Sequence, residues 1–158
     1  MKKIASFLLL FFVIISCTTE VTRNDPAFEG YKDDVRWRAK GMQAELAANQ
    51  SVTIKGMNQF ETVTLRVQSK NPGIYIIGEN NQTAAAYLNI QDGIELAYAT
   101  GPDMGDGEIE ITEFDPITMK ISGEFRFNAV NVNDNPLGGP IMNFQHGFFY
   151  NVPVIPAL

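Results

Sequence analysis

The sequence predicts an all-β fold, an antiparallel meander forming a β-sandwich or, as the alternative, a flattened β-barrel. Three observations predict it. Apolar and polar residues alternate in stretch after stretch, turn-forming residues punctuate these stretches at short intervals, and no segment carries a long helical period. About nine or ten strands joined by short loops follow, since such runs bury one face each and must pack against one another. The pattern leaves open whether the sheet closes on itself.

Taken in order, Pro26–Tyr31 is read as the first strand. Val35, Trp37 and Ala39 then alternate with Arg36, Arg38 and Lys40, as a strand with one face on the core requires. Gly41–Asn49 is ambiguous: its Met, Gln, Ala, Glu and Leu favour helix, but it is short and lies between strand signals. Val52 and Ile54 alternate with Thr53 and Lys55, Gly56–Gln59 turns the chain, and Val63, Leu65 and Val67 point one way. Asn71-Pro72-Gly73 is a turn, because Pro presets one dihedral and Gly accepts a positive one. Ile74–Ile77 and Ala84–Ile90 are strands separated by the polar loop Gly78–Thr83. Asp92-Gly93 joins Ala86, Leu88 and Ile90 to Ile94, Leu96 and Tyr98, the strongest short-range hairpin signal in the chain.

Further on, Ile109 and Ile111 alternate with Glu108 and Glu110. Met119, Ile121, Phe125, Phe127 and Ala129 then take odd positions, with Lys120, Ser122, Glu124, Arg126 and Asn128 on even ones, a pattern no helix buries on one side. A hairpin around Asp115-Pro116 pairs the two strands. Met142, Phe144, Phe148, Tyr150 and Val152 share even parity in the last strand, with His146 on that same apolar face.

Ahead of the β region stands Met1-Lys2-Lys3 and an apolar run from Ile4 to Ile15 broken by Ser6, the charged start and apolar middle of an export signal. The run is too short to span a bilayer, which takes about 20 apolar residues. Ile14-Ile15-Ser16-Cys17 resembles the lipobox of bacterial lipoproteins, which implies cleavage before Cys17 and lipid on its sulfur and new amino group. Cys17 is the single cysteine, so no internal disulfide can form and lipidation accounts for an otherwise lone thiol. The expected organisation is a signal peptide over 1–16, a lipidated N-terminus and flexible tether over 17–25, and one β domain over 26–158. Two or three acyl chains would make membrane attachment effectively permanent. Thr18 is not the aspartate that retains lipoproteins on the inner membrane, so an outer membrane location is expected, facing the periplasm or the cell surface.

Removing residues 1–16 also removes Lys2 and Lys3, leaving 10 basic against 18 acidic residues and a charge of −8. That balance repels phosphate backbones and anionic headgroups, so nucleic acid is not an expected partner. An envelope protein or a glycan is.

Met119-Lys-Ile-Ser-Gly-Glu-Phe-Arg-Phe-Asn-Ala129, Gly107-Glu-Ile-Glu-Ile-Thr112, Gly147-Phe-Phe-Tyr-Asn-Val152 and Trp37-Arg-Ala39 are spread over most of the chain beyond Cys17. Together they resemble a family of small lipoproteins from flavobacteria and their relatives, known as a domain of unknown function. The resemblance implies an all-β extracytoplasmic lipoprotein and brings no catalytic residues.

Candidate chemistry is sparse. His146 is the single histidine, with no His-x-x-x-His partner and no Gly-x-Ser-x-Gly turn to serve, so it reads as structural. Asp103, Asp106 and Glu108 lie in one loop and suit a calcium ion in type but not in spacing. Asn131–Asn135 is a similar polar cluster, of residues that form turns by bonding their own backbone. Glu108 and Glu110 share a strand face, as a glycosidase pair would, but share it with solvent, with Lys120 or Arg126 expected across from them. Tyr75 and Tyr87 fall out of phase with their aliphatic neighbours, either as exposed sugar-binding rings or, the favoured reading, as covered ones. The chain is therefore expected to be a non-enzymatic, lipid-anchored binding or structural module without cofactor, metal or catalytic residues. The alternatives are a β-barrel holding a small apolar ligand and, third, a glycan hydrolase.

Overall fold

The computed structural model describes residues 26–157. The expected signal peptide, Cys17 and the tether to residue 25 lie outside the described residues. Among the described residues there are eleven strands: β1 (Ala27–Lys32), β2 (Val35–Arg38), β3 (Gly41–Leu46), β4 (Val52–Met57), β5 (Glu61–Val67), β6 (Gly73–Ile77), β7 (Ala84–Gln91), β8 (Ile94–Ala99), β9 (Asp106–Asp115), β10 (Lys120–Asn131) and β11 (Ile141–Pro156). The strand beyond the expected nine or ten is β3, built from the ambiguous Gly41–Asn49 segment. Its helix-favouring residues are overridden by pairing on both sides, antiparallel to β4 and parallel to β11, which buries Ala44 completely.

All strands belong to one mixed sheet in the order β2-β1-β11-β3-β4-β5-β7-β8-β10-β9-β6. A further pairing of β10 with β11 links seven of them into a partial ring, so the strands form a single curled sheet. The antiparallel meander holds along β3-β4-β5 and β7-β8 and fails elsewhere, β10 for one standing between β8 and β9. The last strand β11 inserts between β1 and β3, parallel to the latter, and β6 leaves its chain neighbours to pair with β9 at the edge.

Alternation predicts the inward faces of β4, β5, β9 and β10 correctly: Val52, Ile54, Val63, Leu65, Val67, Ile109, Ile111, Ile121, Phe125, Phe127 and Ala129 are buried. Two strands take the opposite phase. In β7 it is Ala85 and Tyr87 that meet the core while Ile90 is exposed, and in β6 it is Tyr75 and Ile77 while Ile74 and Ile76 face outward. The two tyrosines set off from their neighbours in the sequence are thus the covered residues, because the sheet turns the opposite face inward.

The centre of the core is aromatic. Phe125 sits 5.2 Å from Phe28, 5.3 Å from Phe144, 6.1 Å from Phe127 and 6.5 Å from Phe149, ring centre to ring centre. Tilted and offset rings at such spacings gain beyond the area they bury. Phe28 also presses against Gly56 of β4, where an added Cβ would come within 2.6 Å of the ring, so the β1 and β4 sides of the curl meet face to face. The buried cluster draws on every strand from β1 to β11, so residues 26–157 enclose a core of their own.

The Asp92-Gly93 hairpin forms as predicted between β7 and β8, with both residues at positive φ (53° and 80°). An added Cβ on Gly93 meets nothing within 4 Å. Gly93→Ala is therefore expected to cost only the left-handed backbone penalty, about 1 kcal/mol, read as a lower urea midpoint with unchanged slope.

Candidate functional site

The last strand is where the structure departs furthest from simple alternation. Met142 and Phe144 are buried as expected, but Phe149 rather than Phe148 is the next ring inside, and even parity returns only at Val152. Two bulges explain it. Opposite β10, the register steps from Phe127↔Phe144 to Phe125↔Gly147, and from Gly123↔Phe149 to Ile121↔Val152, each step using one extra residue of β11. His146 (φ 49°) and Asn151 (φ 50°) carry the left-handed backbone these bulges demand. The bulge turns His146 out of the expected apolar face and exposes it, with its ring edge-on to Tyr31 at 6.3 Å. A third irregularity lies across β10, where β9 uses one extra residue at Thr112 between Ile111↔Gly123 and Glu113↔Ser122.

Three bulges on the two strands that flank β10 leave a concavity on the outer face. A groove of about 530 Å³ is lined by Thr112, Glu124, His146, Gly147, Phe148 and Tyr150 among others, and a smaller one of about 190 Å³ continues it past Glu110, Glu108 and Arg126. Its floor is glycine by necessity: a Cβ on Gly147 would lie 2.5 Å from two carbons of the Phe125 ring, and one on Gly123 would overlap the Glu110 carbonyl oxygen and the Phe149 ring.

Two carboxylates at this groove are unpaired among the described residues. Glu110 and Glu124 are directly opposed across β9 and β10, and neither forms a hydrogen bond or ion pair with another described residue. Opposed like charges disfavour a strand pair. Glu108, by contrast, receives the Arg126 Nε hydrogen bond at 3.1 Å, the cross-strand pairing anticipated from alternation, while Lys120 stands opposite Asp115.

The most perturbed ionisable group lies elsewhere. Glu61, placed by the Asn58–Glu61 turn, accepts from Lys32 Nζ (2.6 Å) and the Tyr87 hydroxyl on Oε1, and from Trp37 Nε1 (2.9 Å) and Asn58 Nδ2 (2.7 Å) on Oε2. Burial alone would raise its pKa, but the hydrogen bonds from Lys32, Tyr87 and Asn58 prevail and hold it at about 2. Burial and the bond to Glu61 push Tyr87 up to about 12, and Lys32 is raised because its bonds to Glu61 and Tyr87 outweigh its burial. Each acceptor site of the carboxylate is thus used within the chain, which makes the cluster a polar pin joining β1, β2, β5 and β7. Tyr87 and Trp37 were visible in the sequence, but nothing in the alternation of β5 marks Glu61 as their partner.

The remaining candidates disperse. Asp106 accepts from Asn128 Nδ2 at 2.8 Å and Glu108 from Arg126, so the acidic loop residues face separate partners on β10. Among the described residues no group of three metal-ligating side chains converges. In the Asn131–Asn135 cluster the amides donate: Asn133 and Asn135 Nδ2 both reach the Glu95 carbonyl, at 2.8 and 2.9 Å, and Asn131 Nδ2 reaches the Asn135 carbonyl. Donor NH2 groups turned to backbone carbonyls staple the loop to β8. The lipidation candidate Cys17 lies outside the described residues.

Fold and site together define a small all-β domain with a bulge-built surface groove lined by rings and carboxylates. The chain belongs to the family described as Domain of unknown function (DUF6252), whose model matches residues 24–153. No curated protein and no solved structure matches the chain.

Proposed function

We propose that this chain is a non-enzymatic, glycan-binding module of the bacterial cell envelope, lipid-anchored at Cys17 after removal of residues 1–16 and held at the outer membrane by the 17–25 tether. The observation that carries the reading is the groove over the β11 bulges. It sets His146, with Tyr31 edge-on to it, and Phe148 and Tyr150 beside two carboxylates whose acceptor sites no donor among the described residues fills. Rings supply flat apolar surface for sugar rings, and ionised carboxylates accept from hydroxyls more strongly than neutral acceptors do. With a charge of −8 beyond residue 16, the domain disfavours anionic polymers, so a neutral or cationic glycan suits it.

The reading in which a closed barrel holds a small apolar ligand draws no support from an interior taken up by Phe28, Phe125, Phe127, Phe144 and Phe149. Hydrolysis is the reading to test against binding. Residues 24–158 are expected to be retained by an immobilised neutral envelope polysaccharide without releasing fragments, and Glu124→Gln is expected to weaken retention about tenfold, the loss of one charged hydrogen bond. Release of fragments that stops in Glu110→Gln or Glu124→Gln would make the domain a hydrolase.

A further inference from the structure

The two edges of the sheet are built differently. On one, β2 is four residues long and carries Arg36 and Arg38, both paired with Glu29, the short and charged construction that discourages another strand from adding. The other edge, β6, reads Gly73-Ile-Tyr-Ile-Ile77 and has no charge and no proline, and its pairing with β9 runs without a register break. Among the described residues β9 is the only strand that pairs with it, and Ile74 and Ile76 are 59% and 42% exposed on its outward face. An uncharged, apolar, open edge is a template for strand addition.

We propose that β6 pairs antiparallel with β6 of a second copy of this chain, continuing the sheet across a two-fold axis. The flanking charges favour this occupant. Lys70 precedes the strand and Glu79 follows it, so an antiparallel pair brings the Lys70 end of each copy against the Glu79 end of the other, twice over. A parallel pair would instead juxtapose like charges. The two acidic chains repel each other broadly, and this uncharged strip is a place where their backbones can approach. Main-chain bonds give the affinity, and the isoleucines of the two copies, aligned on one face, add apolar contact. The proposal is independent of the groove and of the anchor.

Sedimentation equilibrium on residues 24–158 tests it. A monomer–dimer equilibrium is expected with a dissociation constant on the order of 10–1000 µM, the range of a small interface. Ile76→Lys, an exposed position, is expected to weaken the dimer at least tenfold while leaving the far-ultraviolet spectrum unchanged. The segment contains no cysteine, so Ile76→Cys and Val35→Cys each introduce a unique thiol. A short bismaleimide should link copies of Ile76→Cys and not of Val35→Cys, which holds even if the lysine variant folds poorly. A chain monomeric at about 1 mM, equal linking of the two cysteine variants, or β6 amides protected from exchange only on adding an envelope extract would overturn self-pairing, the last placing a different partner on the edge.

Discussion

Gly147→Ala is expected to destabilise the domain by about 3 kcal/mol, the upper range for inserting a methyl into a packed interior. The new Cβ would meet three carbons of the Phe125 ring at 2.5–2.7 Å. That ring cannot step aside, because Phe28, Phe127, Phe144 and Phe149 surround it. Either the ring leaves its packed position or β11 lifts from β10 between its two bulges, and both deform the groove floor. Urea unfolding should show the loss as a lower midpoint, and glycan retention should fall by more than in Glu124→Gln. A variant as stable as the parent would mean that the close approach of Gly147 to Phe125 does not shape the site.

Glu61→Gln carries the second large effect, about 3 kcal/mol at neutral pH. The variant keeps the volume but turns an NH2 toward donors, leaving Lys32, the Tyr87 hydroxyl, Trp37 Nε1 and Asn58 Nδ2 to compete for one carbonyl. Its pH dependence has a definite sign. The Glu61 carboxyl is more acidic in the folded chain, so its contribution is complete above the ordinary value of 4.5 and disappears as pH falls toward about 2. Because the pair is partly solvated, about 2 kcal/mol of the difference between parent and variant should vanish between pH 5 and pH 2. At the alkaline end the folded Tyr87 holds its proton more tightly than the unfolded one, so its share is complete below pH 10 and is lost as pH rises to about 12; the raised Lys32 acts in the same direction. Urea midpoints measured across pH 2–7 for both chains check the acid limb, and a constant gap would remove Glu61 from the account.

How far the sequence reached follows from how regular each strand is. The strands β4, β5, β9 and β10 were legible because each keeps a period of two along its buried stretch. Gly41–Leu46 was not, since its composition points to helix and only pairing with β4 and β11 makes it a strand. In β6 and β7 apolar residues occupy both faces, so alternation had no basis for preferring Tyr75 and Tyr87 over the isoleucines. Parity in β11 fails at His146 and Asn151, each a bulge set by partners on other strands, and a bulge flips all that follows. The site was illegible for the same reason: Thr112, Glu124, His146 and Gly147 come together through three register shifts, and the Lys32–Glu61–Tyr87 pin joins residues up to 55 positions apart. The all-β class needed none of these details and stands.

The central claim is that the bulge-built groove is a binding site. A titration of 15N-labelled residues 24–158 with neutral envelope oligosaccharides, followed by amide chemical shifts, tests it most directly. Saturable shifts confined to Thr112, Glu124, His146, Gly147 and their neighbours, with the sugar recovered intact, are the predicted result. Saturable shifts centred elsewhere on the sheet, or none with any oligosaccharide, would contradict it.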